Sequence, residues 1–417
     1  MKLEDWNLFN IEDLGQIVSG GTPKTNVSHY WDGDINWITP TDVTAAKGKK
    51  FINSTTRKIT IEGLNNSSAN LLPVGTLIIC TRATIGDSVI NEVPISTNQG
   101  FKSLIPNDKV LSEYLYYWVI YNKELLIKNS SGSTFLELST KSFKNLEVLL
   151  PPLPEQQKIA EILSTVDAKI EIIDQQISET SELKKGLMQQ LLSGKLSVVK
   201  NRLLSEAEMK DSVLGRIPES WEVVKFSELI SSHCYGPRFS SKDYSEIGNV
   251  KTIRGTDINQ TGDILYEQVP IAQLPFEFVE NHKLKNGDLV MITTADCGLT
   301  GVFINQGFPF IPSAYAVRIT LNEKAFPLYF KYVFQTAIAK NQVERFIRKG
   351  TVANLPGSDI LKFIFPYPKV SEQKKIADIL TSVDDKLQVL SEKKVTYQEL
   401  KQGLMQQLLT GKVRVKV

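Results

Sequence analysis

The chain contains one segment twice. Residues 155–198 (EQQKIAEILSTVDAKIEIIDQQISETSELKKGLMQQLLSGKLSV) and 372–415 (EQKKIADILTSVDDKLQVLSEKKVTYQELKQGLMQQLLTGKVRV) align without a gap at an offset of 217, with 23 of 44 positions identical. A duplication of this size calls for a molecule built from two similar halves. Two similar halves suit one molecule reading two similar targets.

Both copies carry apolar residues at a 3–4 spacing. The first runs through Ile159, Leu163, Val166, Ile170, Ile173, Ile177, Thr180, Lys184, Leu187 and Leu191. The second runs through Ile376, Leu380, Val383, Leu387 and Leu390, slips near Val395, and resumes at Tyr397, Leu404 and Leu408. This is the seam of a coiled coil, and the slip resembles a small stutter in the heptad phase. Pro154 and Ser371 mark the helix starts, and Gly194 and Gly411 suit the C-caps. Each helix is expected to cover roughly 38 residues, hence about 57 Å at the α-helical rise, which is long for a globular helix and suits a spacer. Gly186 and Gly403 recur inside the helices at one repeat position. Gly there costs about 1 kcal/mol relative to Ala, and close helix–helix approach would offset that.

Two larger segments flank the helices, 1–150 and 218–368, with a charged, patternless linker expected at 199–217. The helical regions themselves are 151–198 and 369–417. The flanking segments align faintly with each other: Trp6 with Trp221, Leu14 with Leu229, Thr41-Asp42 with Thr256-Asp257. Short β-rich runs such as TLIICT (76–81), DLVMITT (288–294), LEVLLPP and KFIFPYP, punctuated by Gly, Asn and Asp, imply mixed domains. YLYYWVIYNKELL (114–126) and PLYFKYVFQTAIAKNQVERFI (327–347) each read as one buried helix. The expected class is α+β: two mixed α/β globules separated by two long antiparallel coiled-coil helices, with a pseudo-twofold internal repeat.

Composition narrows the function. The first ten residues hold acids and no apolar core, so no signal peptide is expected. No run of 18 apolar residues occurs, so no membrane span or membrane partner is expected, and a cytoplasmic location follows. Three cysteines (Cys80, Cys234, Cys297) lie far apart, which suits reduced thiols and not a zinc site. A net charge of only +2 means that any DNA-binding surface must be local, or completed by a partner.

At this point the residues resemble a known family, the specificity subunit of type I restriction–modification systems. The resemblance rests on GLMQQLLSGK (186–195) and GLMQQLLTGK (403–412) at the helix ends, and on PPLPEQQKIAEIL (151–163) and SEQKKIADIL (371–380) at their starts. KDSVLGRIPESWEVVK (210–225) resembles the usual opening of the second half. SGGTPKT (19–25), YWDGDINWITPTDV (30–43) and STNQGF (96–101) resemble one type of target recognition domain. The resemblance spans essentially the whole chain.

It implies a non-catalytic subunit whose two target recognition domains each read one part of a split, asymmetric site in double-stranded DNA. The antiparallel helices would set the distance between those parts. Two DNA methyltransferase subunits would dock, and two endonuclease/translocase subunits can join through them. No cofactor is expected in this chain; S-adenosylmethionine belongs to the methyltransferase, which methylates adenine at N6. The second half departs from the first: GPRFSSKDY from 236 stands where the first half has GGTPKTNVS, and IPSAYAV (311–317) replaces ISTNQGF (95–101). Different half-sites would follow.

The residues themselves offer no catalytic motif. Pro151-Pro152 is followed by Leu153, not the aromatic of an adenine methyltransferase motif that receives a flipped base. No GxGxxG follows a strand, Gly194-Lys195 and Gly411-Lys412 lack the P-loop Ser/Thr, and HExxH is absent. Asp167-Ala168-Lys169 and Asp384-Asp385-Lys386 resemble a nuclease Asp-x-Lys, but both fall mid-helix, where a solvated charged face is the simpler expectation.

Phosphate contacts need Lys, Arg, Ser/Thr or amides, and base readout needs Arg, Asn, Gln, Asp or Thr. The DNA-binding candidates are therefore Thr22, Lys24, Lys47, Lys49, Lys50, Arg82, Thr84, Asn98 and Gln99 in the first domain. In the second they are Arg238, Lys242, Arg254, Thr256, Asp257, Thr294, Asp296 and Tyr315. Asn98 has the alternative role of capping a turn, Asp257 of holding a loop, and Lys47–Lys50 of a soluble loop. Leu187, Met188, Leu191, Leu404, Met405 and Leu408 are candidates for partner binding, with mutual packing as the alternative. The rival functions are a coiled-coil protein-interaction scaffold and the specificity subunit of a fused methyltransferase–nuclease.

Overall fold

The computed structural model describes residues 5–46, 48–132 and 136–416. They form two compact units, 1–175 with 391–417 and 176–390. Each unit joins one globule, the start of the long helix that follows it, and the end of the other long helix.

The duplicated segments are the helices Leu153–Leu192 and Val370–Leu408. They begin one or two residues earlier than the sequence signals, so Pro154 and Ser371 lie inside the first turn. Gly194 and Gly411 adopt positive φ (74° and 68°) directly beyond the helices, the left-handed ending that glycine tolerates best. Gly186 and Gly403 do not mediate close packing: a Cβ at either would meet nothing within 4 Å.

Within each unit the two helix portions run antiparallel. In the first, Asp167 pairs with Lys401 and Asp174 with Lys394, while in the second Asp384 pairs with Lys184. Part of the expected seam is buried, Ile159, Leu163, Val166 and Ile173 in the first unit and Ile376, Leu380 and Val383 in the second, while Ile170, Ile177, Leu387 and Tyr397 are half-buried.

The first globule holds a five-stranded sheet in the order Gly15–Ser19, Phe101–Pro106, Leu77–Cys80, Ser88–Asn91, Phe51–Ile52, and a three-stranded sheet Arg57–Ile59, Trp31–Ile38, Ile95–Thr97. The second holds a four-stranded sheet Ile230–Tyr235, Ala316–Leu321, Leu289–Ile292, Thr300–Val302, and a three-stranded sheet Ile271–Ala272, Val250–Ile253, Phe310–Pro312. In each, the globule's first and last strands pair (Asn7–Asn10 with Glu147–Leu150, Glu222–Lys225 with Ile364–Tyr367) just before the long helix begins.

Two helices expected whole are broken. The first divides at Asn122 into Ser112–Tyr121 and Lys123–Lys128. The second divides into Pro327–Val333 and Ala337–Phe346, where the Thr336 hydroxyl accepts the Ala339 N–H and restarts the helix. The linker 199–217 is also more ordered than its sequence suggests. It belongs to two short hairpins, Leu196–Ser197 with Arg202–Leu203 and Met209–Ser212 with Gly215–Pro218. Glu208 ties the first together by accepting from Lys200, Arg202 and the Ser205 amide, and these bonds hold its carboxyl well below the usual range.

Globule and helices are fastened by buried polar contacts that recur at equivalent positions. Trp6 donates to Glu155 (3.2 Å), and Trp221 to Glu372 (3.1 Å). Gln156 accepts the Leu111 N–H and donates to Lys109 and Pro151 carbonyls; Gln373 accepts from Phe326 and donates to Lys324 and Pro368. Tyr117 donates to Asp167 (2.7 Å) and Tyr332 to Asp384 (2.8 Å). Asp167 and Asp384 are therefore not solvated charges. Each joins its globule's tyrosine to a lysine of the opposite helix, and so they are accounted for as structural groups.

Candidate nucleic-acid interface

Strand ends gather several loops at one edge of each globule. In the first, loop 20–27 leaves Gly15–Ser19 and is held by Gly21 N–H to Thr97 O (2.9 Å). Asn98 N–H reaches Ile38 O (3.2 Å), Thr81 N–H reaches Gly100 O (2.8 Å), and Leu138 N–H reaches Thr81 O (3.0 Å). The second globule repeats the weave: Gly236 N–H to Ala316 O (3.1 Å), Ser313 N–H to Ile253 O (2.8 Å), Thr293 N–H to Tyr315 O (2.9 Å), Leu355 N–H to Thr293 O (2.8 Å). Gly20 and Gly236 are required here, because a Cβ would fall 2.0 Å from the Asn98 or Pro312 carbonyl oxygen. Ala83 and Ala295 occupy the same left-handed conformation in the equivalent loops (φ 55° and 63°).

Several candidates stand on this edge. The Thr22 hydroxyl donates to the exposed Gln99, while Lys24 is exposed and its carbonyl accepts from Trp31 Nε1 (3.2 Å). Arg82 is exposed but paired with Glu137 (2.9 Å). Asn98 turns its Oδ1 to the Gly100 N–H (2.8 Å), the turn-capping role. The Thr84 hydroxyl is buried beside Cys80.

The lysine cluster lies elsewhere. Lys47 falls outside the described residues. Lys49 pairs with Glu171 on the first long helix (2.8 Å), and the largely buried Lys50 ammonium is taken by Glu113 and Ser164. A lysine spent on a buried carboxylate is not available to a phosphate, so Lys50 is reassigned to holding the globule against the helix.

In the second globule Arg238, Lys242, Thr256, Asp296 and Tyr315 are exposed, and Thr294 is half-buried beside Asn354. Asp257 is fully buried. It accepts the Arg254 N–H (2.8 Å) and both Nε and Nη2 of that side chain (3.0 and 2.9 Å). Asp42 does the same work in the first globule, accepting from the Thr39 amide and hydroxyl and the Thr56 amide. Burial pushes the Asp42 carboxyl up, but these bonds prevail and hold it below the ordinary range. Asp257 thus supports a loop and cannot reach a base edge, and Arg254 is its partner.

Four cations escaped the sequence reading. Arg57 stacks on Trp31 and Trp37, its guanidinium carbon 3.8 and 5.1 Å from the ring centroids. Lys102 is buried in the strand beside Arg82 and Glu137; burial pushes its ammonium pKa down, with Glu137 opposing. Arg348, with its neighbour Lys349, is exposed on the segment that bridges to Asn354 next to Thr294. Arg57 contacts residues 20 and more positions away, and no local pattern announces that.

The partner-binding candidates divide. Leu191, Met405 and Leu408 are buried in the cores of their own units, and Leu187, Met188 and Leu404 are half-buried against the same cores. Each copy of GLMQQLL is therefore taken up by the core of its own unit, the first with Ile376 and Leu380 and the second with Ile159 and Leu163, rather than by the other copy as the mutual-packing alternative had it. Exposed apolar residues on the long helices include Ile172 and Leu400 in one unit and Leu183 and Val389 in the other, together with Leu153, Ile379 and Val395, which have no exposed apolar counterpart. Ile172 and Val389, and Leu183 and Leu400, are equivalent positions of the duplication.

Comparison with known proteins gives the class. A family model described as the type I restriction modification DNA specificity domain matches twice, at residues 3–182 and 218–401. The chain belongs to the type I restriction–modification specificity-subunit family. It is 26% identical to the MjaVIII specificity subunit of Methanocaldococcus jannaschii, over 99% of this chain and 94% of that protein. It is 36% identical to the MjaIX specificity subunit of the same organism, over 54% of this chain and about half (52%) of that relative's length. The fold is shared with the crystal structure of the type I restriction–modification S subunit from M. genitalium, at a TM-score of 0.59, 14% identity and 98% coverage of both chains. Among the described residues no helix is long and apolar enough to cross a membrane.

Proposed function

We propose that this chain is the DNA-reading subunit of a cytoplasmic methyltransferase complex, each loop edge addressing one half of a split, asymmetric duplex site. One observation carries the reading. The contacts Trp6–Glu155, Gln156–Leu111 and Tyr117–Asp167 that fasten globule to helix recur at equivalent positions of the second unit, whereas the side chains on the loop edge do not: Thr22 and Gln99 on one globule stand where Arg238 and Tyr315 stand on the other. A common framework with divergent exposed groups is what two different half-sites require, since phosphate contacts position and base contacts specify.

The duplicated exposed residues Ile172 and Val389, Leu183 and Leu400 support docking of two copies of one partner, which we take to be the methyltransferase subunit. That partner brings S-adenosylmethionine and the chemistry at adenine N6; endonuclease subunits join through it. This chain positions the complex and contributes no reacting group.

The test is a genome-wide map of N6-methyladenine with and without this gene. Loss of one split motif is the expected result. An unchanged map, together with binding that does not weaken as salt rises, would refute the reading and favour a protein-binding scaffold, because phosphate contacts release counterions. A single copurifying polypeptide carrying both methyltransferase and nuclease would move the chain to a fused system. Replacing the first globule by that of a relative should change one half-site only.

A further inference from the structure

We infer that Arg57 is a base-reading residue of the first globule, and that it selects a guanine in that half-site. The inference rests on the proposal that the loop edge faces DNA, and it concerns a residue that no motif marks.

Arg57 begins the strand Arg57–Ile59, opposite Trp37 on Trp31–Ile38. Both tryptophans are tied to the loop of 20–25: Trp37 Nε1 donates to Gly21 O (2.9 Å) and Trp31 Nε1 to Lys24 O (3.2 Å). The two indoles meet edge to face, centroids 5.0 Å apart, and the guanidinium lies over Trp31 and beside Trp37. Stacking occupies the π face of a guanidinium and leaves its N–H edges free. Among the described residues no carboxylate lies within ion-pair distance of Arg57, and its side chain donates no hydrogen bond to the protein. Arg82, in the same globule, is by contrast paired with Glu137. An exposed, oriented guanidinium with unused donors, stacked on tryptophans that are tied to the loop carrying Thr22 and Lys24, is a pre-organised ligand group.

Two kinds of DNA contact are open to such a group, and the duplication chooses between them. Phosphate contacts belong to the framework and should recur in both globules. The tryptophan clamp does not recur: the strand equivalent to Trp31–Ile38 is Val250–Ile253, without an aromatic residue, and the second globule's tryptophan, Trp221, is buried on Glu372. A feature confined to one globule belongs to reading. A fixed planar fork of donors matches the O6 and N7 acceptors of guanine in the major groove.

The test uses the full chain purified with its copurifying subunits, as wild type, Arg57→Lys and Arg57→Ala, against a duplex library randomised in both half-sites. Arg57→Lys keeps the charge and the stem but loses the fork. The expected result is that both variants lose preference for guanine at one position of one half-site by about tenfold or more, with the other half-site unchanged. Unaltered preferences in Arg57→Lys would overturn the inference and reduce Arg57 to a loop support. Uniform weakening across all sequences in Arg57→Ala, with a salt slope smaller by about one and with Arg57→Lys like wild type, would also overturn it, because it marks a phosphate contact. If wild type shows no half-site preference, the DNA-reading proposal itself has failed, and that result is distinct from failure of Arg57 alone.

Discussion

Removing one oxygen should weaken one unit and leave the other intact. Tyr117 is buried, its hydroxyl donates to Asp167 at 2.7 Å and lies 3.2 Å from Ser164 Oγ, and Asp167 also accepts from Lys401 at 2.6 Å. Burial, with the Asp167 charge adding to it, pushes the phenol pKa far up, so the hydroxyl stays a donor. Tyr117→Phe keeps the ring and loses a hydrogen bond to a charged acceptor, at a cost of about 1.5–3 kcal/mol. For a unit of this size that corresponds to a melting shift of about 3–12 °C. Tyr332→Phe removes the matching bond to Asp384 (2.8 Å), next to Thr381 and Lys184. The assay is differential scanning calorimetry of the full chain, wild type, each single variant and the double variant. Each substitution should lower a different component of the melting profile, and the double variant should show both shifts, because the two networks share no residue and lie in different compact units. Losses below about 0.5 kcal/mol, the level of ordinary surface changes, would mean that the network does not fasten globule to helix.

Gly186→Ala and Gly403→Ala should each stabilise by about 0.5–1 kcal/mol, read as a higher urea midpoint, because the added methyl meets open space; destabilisation would restore the close-packing explanation. Gln156→Leu should cost more than Tyr117→Phe, since it strands the Leu111 N–H and two carbonyls, and each orphaned buried group costs about 1–3 kcal/mol; chemical denaturation measures it. Glu155 and Glu372 should respond oppositely to pH. Burial pushes both up from the ordinary 4.5, but Arg414, the Val415 N–H and Trp6 bring Glu155 below it, whereas Trp221 and the charge of Lys375 do not offset burial at Glu372, which stays above it. Stability from Glu155 is present above pH 4.5 and lost as pH falls through its lowered folded value; the contribution of Glu372 is present on the acid side and lost as pH rises through its raised value. Glu155→Gln should therefore destabilise at neutral pH while Glu372→Gln does not, and a pH series of melts in the two variants checks the sign.

The helices were legible because their information is local and repeated. A 3–4 spacing sustained over ten turns admits one periodic structure, and Gly194 and Gly411 mark where it stops. The α+β class followed from short β-rich runs that did become strands, at Leu77–Cys80, Leu289–Ile292, Glu147–Leu150 and Ile364–Tyr367. What escaped depends on partners distant in sequence. Asp167 reads as a surface charge until Tyr117 and Lys401 are brought to it. Lys50 reads as a basic loop until Glu113 and Ser164 occupy it. Arg57 reads as nothing until two tryptophans on the neighbouring strand hold it. The break at 334–336 was also hidden, because the apolar pattern on both sides remains helical and the stop is made by the Thr336 cap.

The duplication also identifies what each contact is for. Contacts that survive in both halves, such as Gln156 and Gln373 or Tyr117 and Tyr332, do the same task twice, and a task done twice cannot distinguish one half-site from the other. The fastening at Glu155 breaks the rule. Glu155 receives Arg414 Nε and Nη2, both at 2.9 Å, in addition to Trp6. The position equivalent to Arg414 is Ser197, which lies in the hairpin strand Leu196–Ser197, and among the described residues Glu372 has its tryptophan and the charge of Lys375 but no ion pair. The cause is local to each unit. Beyond Gly411 the chain lays Arg414 along Glu155, while beyond Gly194 it turns into a hairpin whose backbone is already paired. A buried carboxylate without a hydrogen-bonded cation is a cost, so the second unit carries a weaker joint at the place where its globule meets its helix. If exchange of backbone amides around Trp221 and Glu372 is no faster than around Trp6 and Glu155, that asymmetry has no consequence and the argument from Arg414 fails.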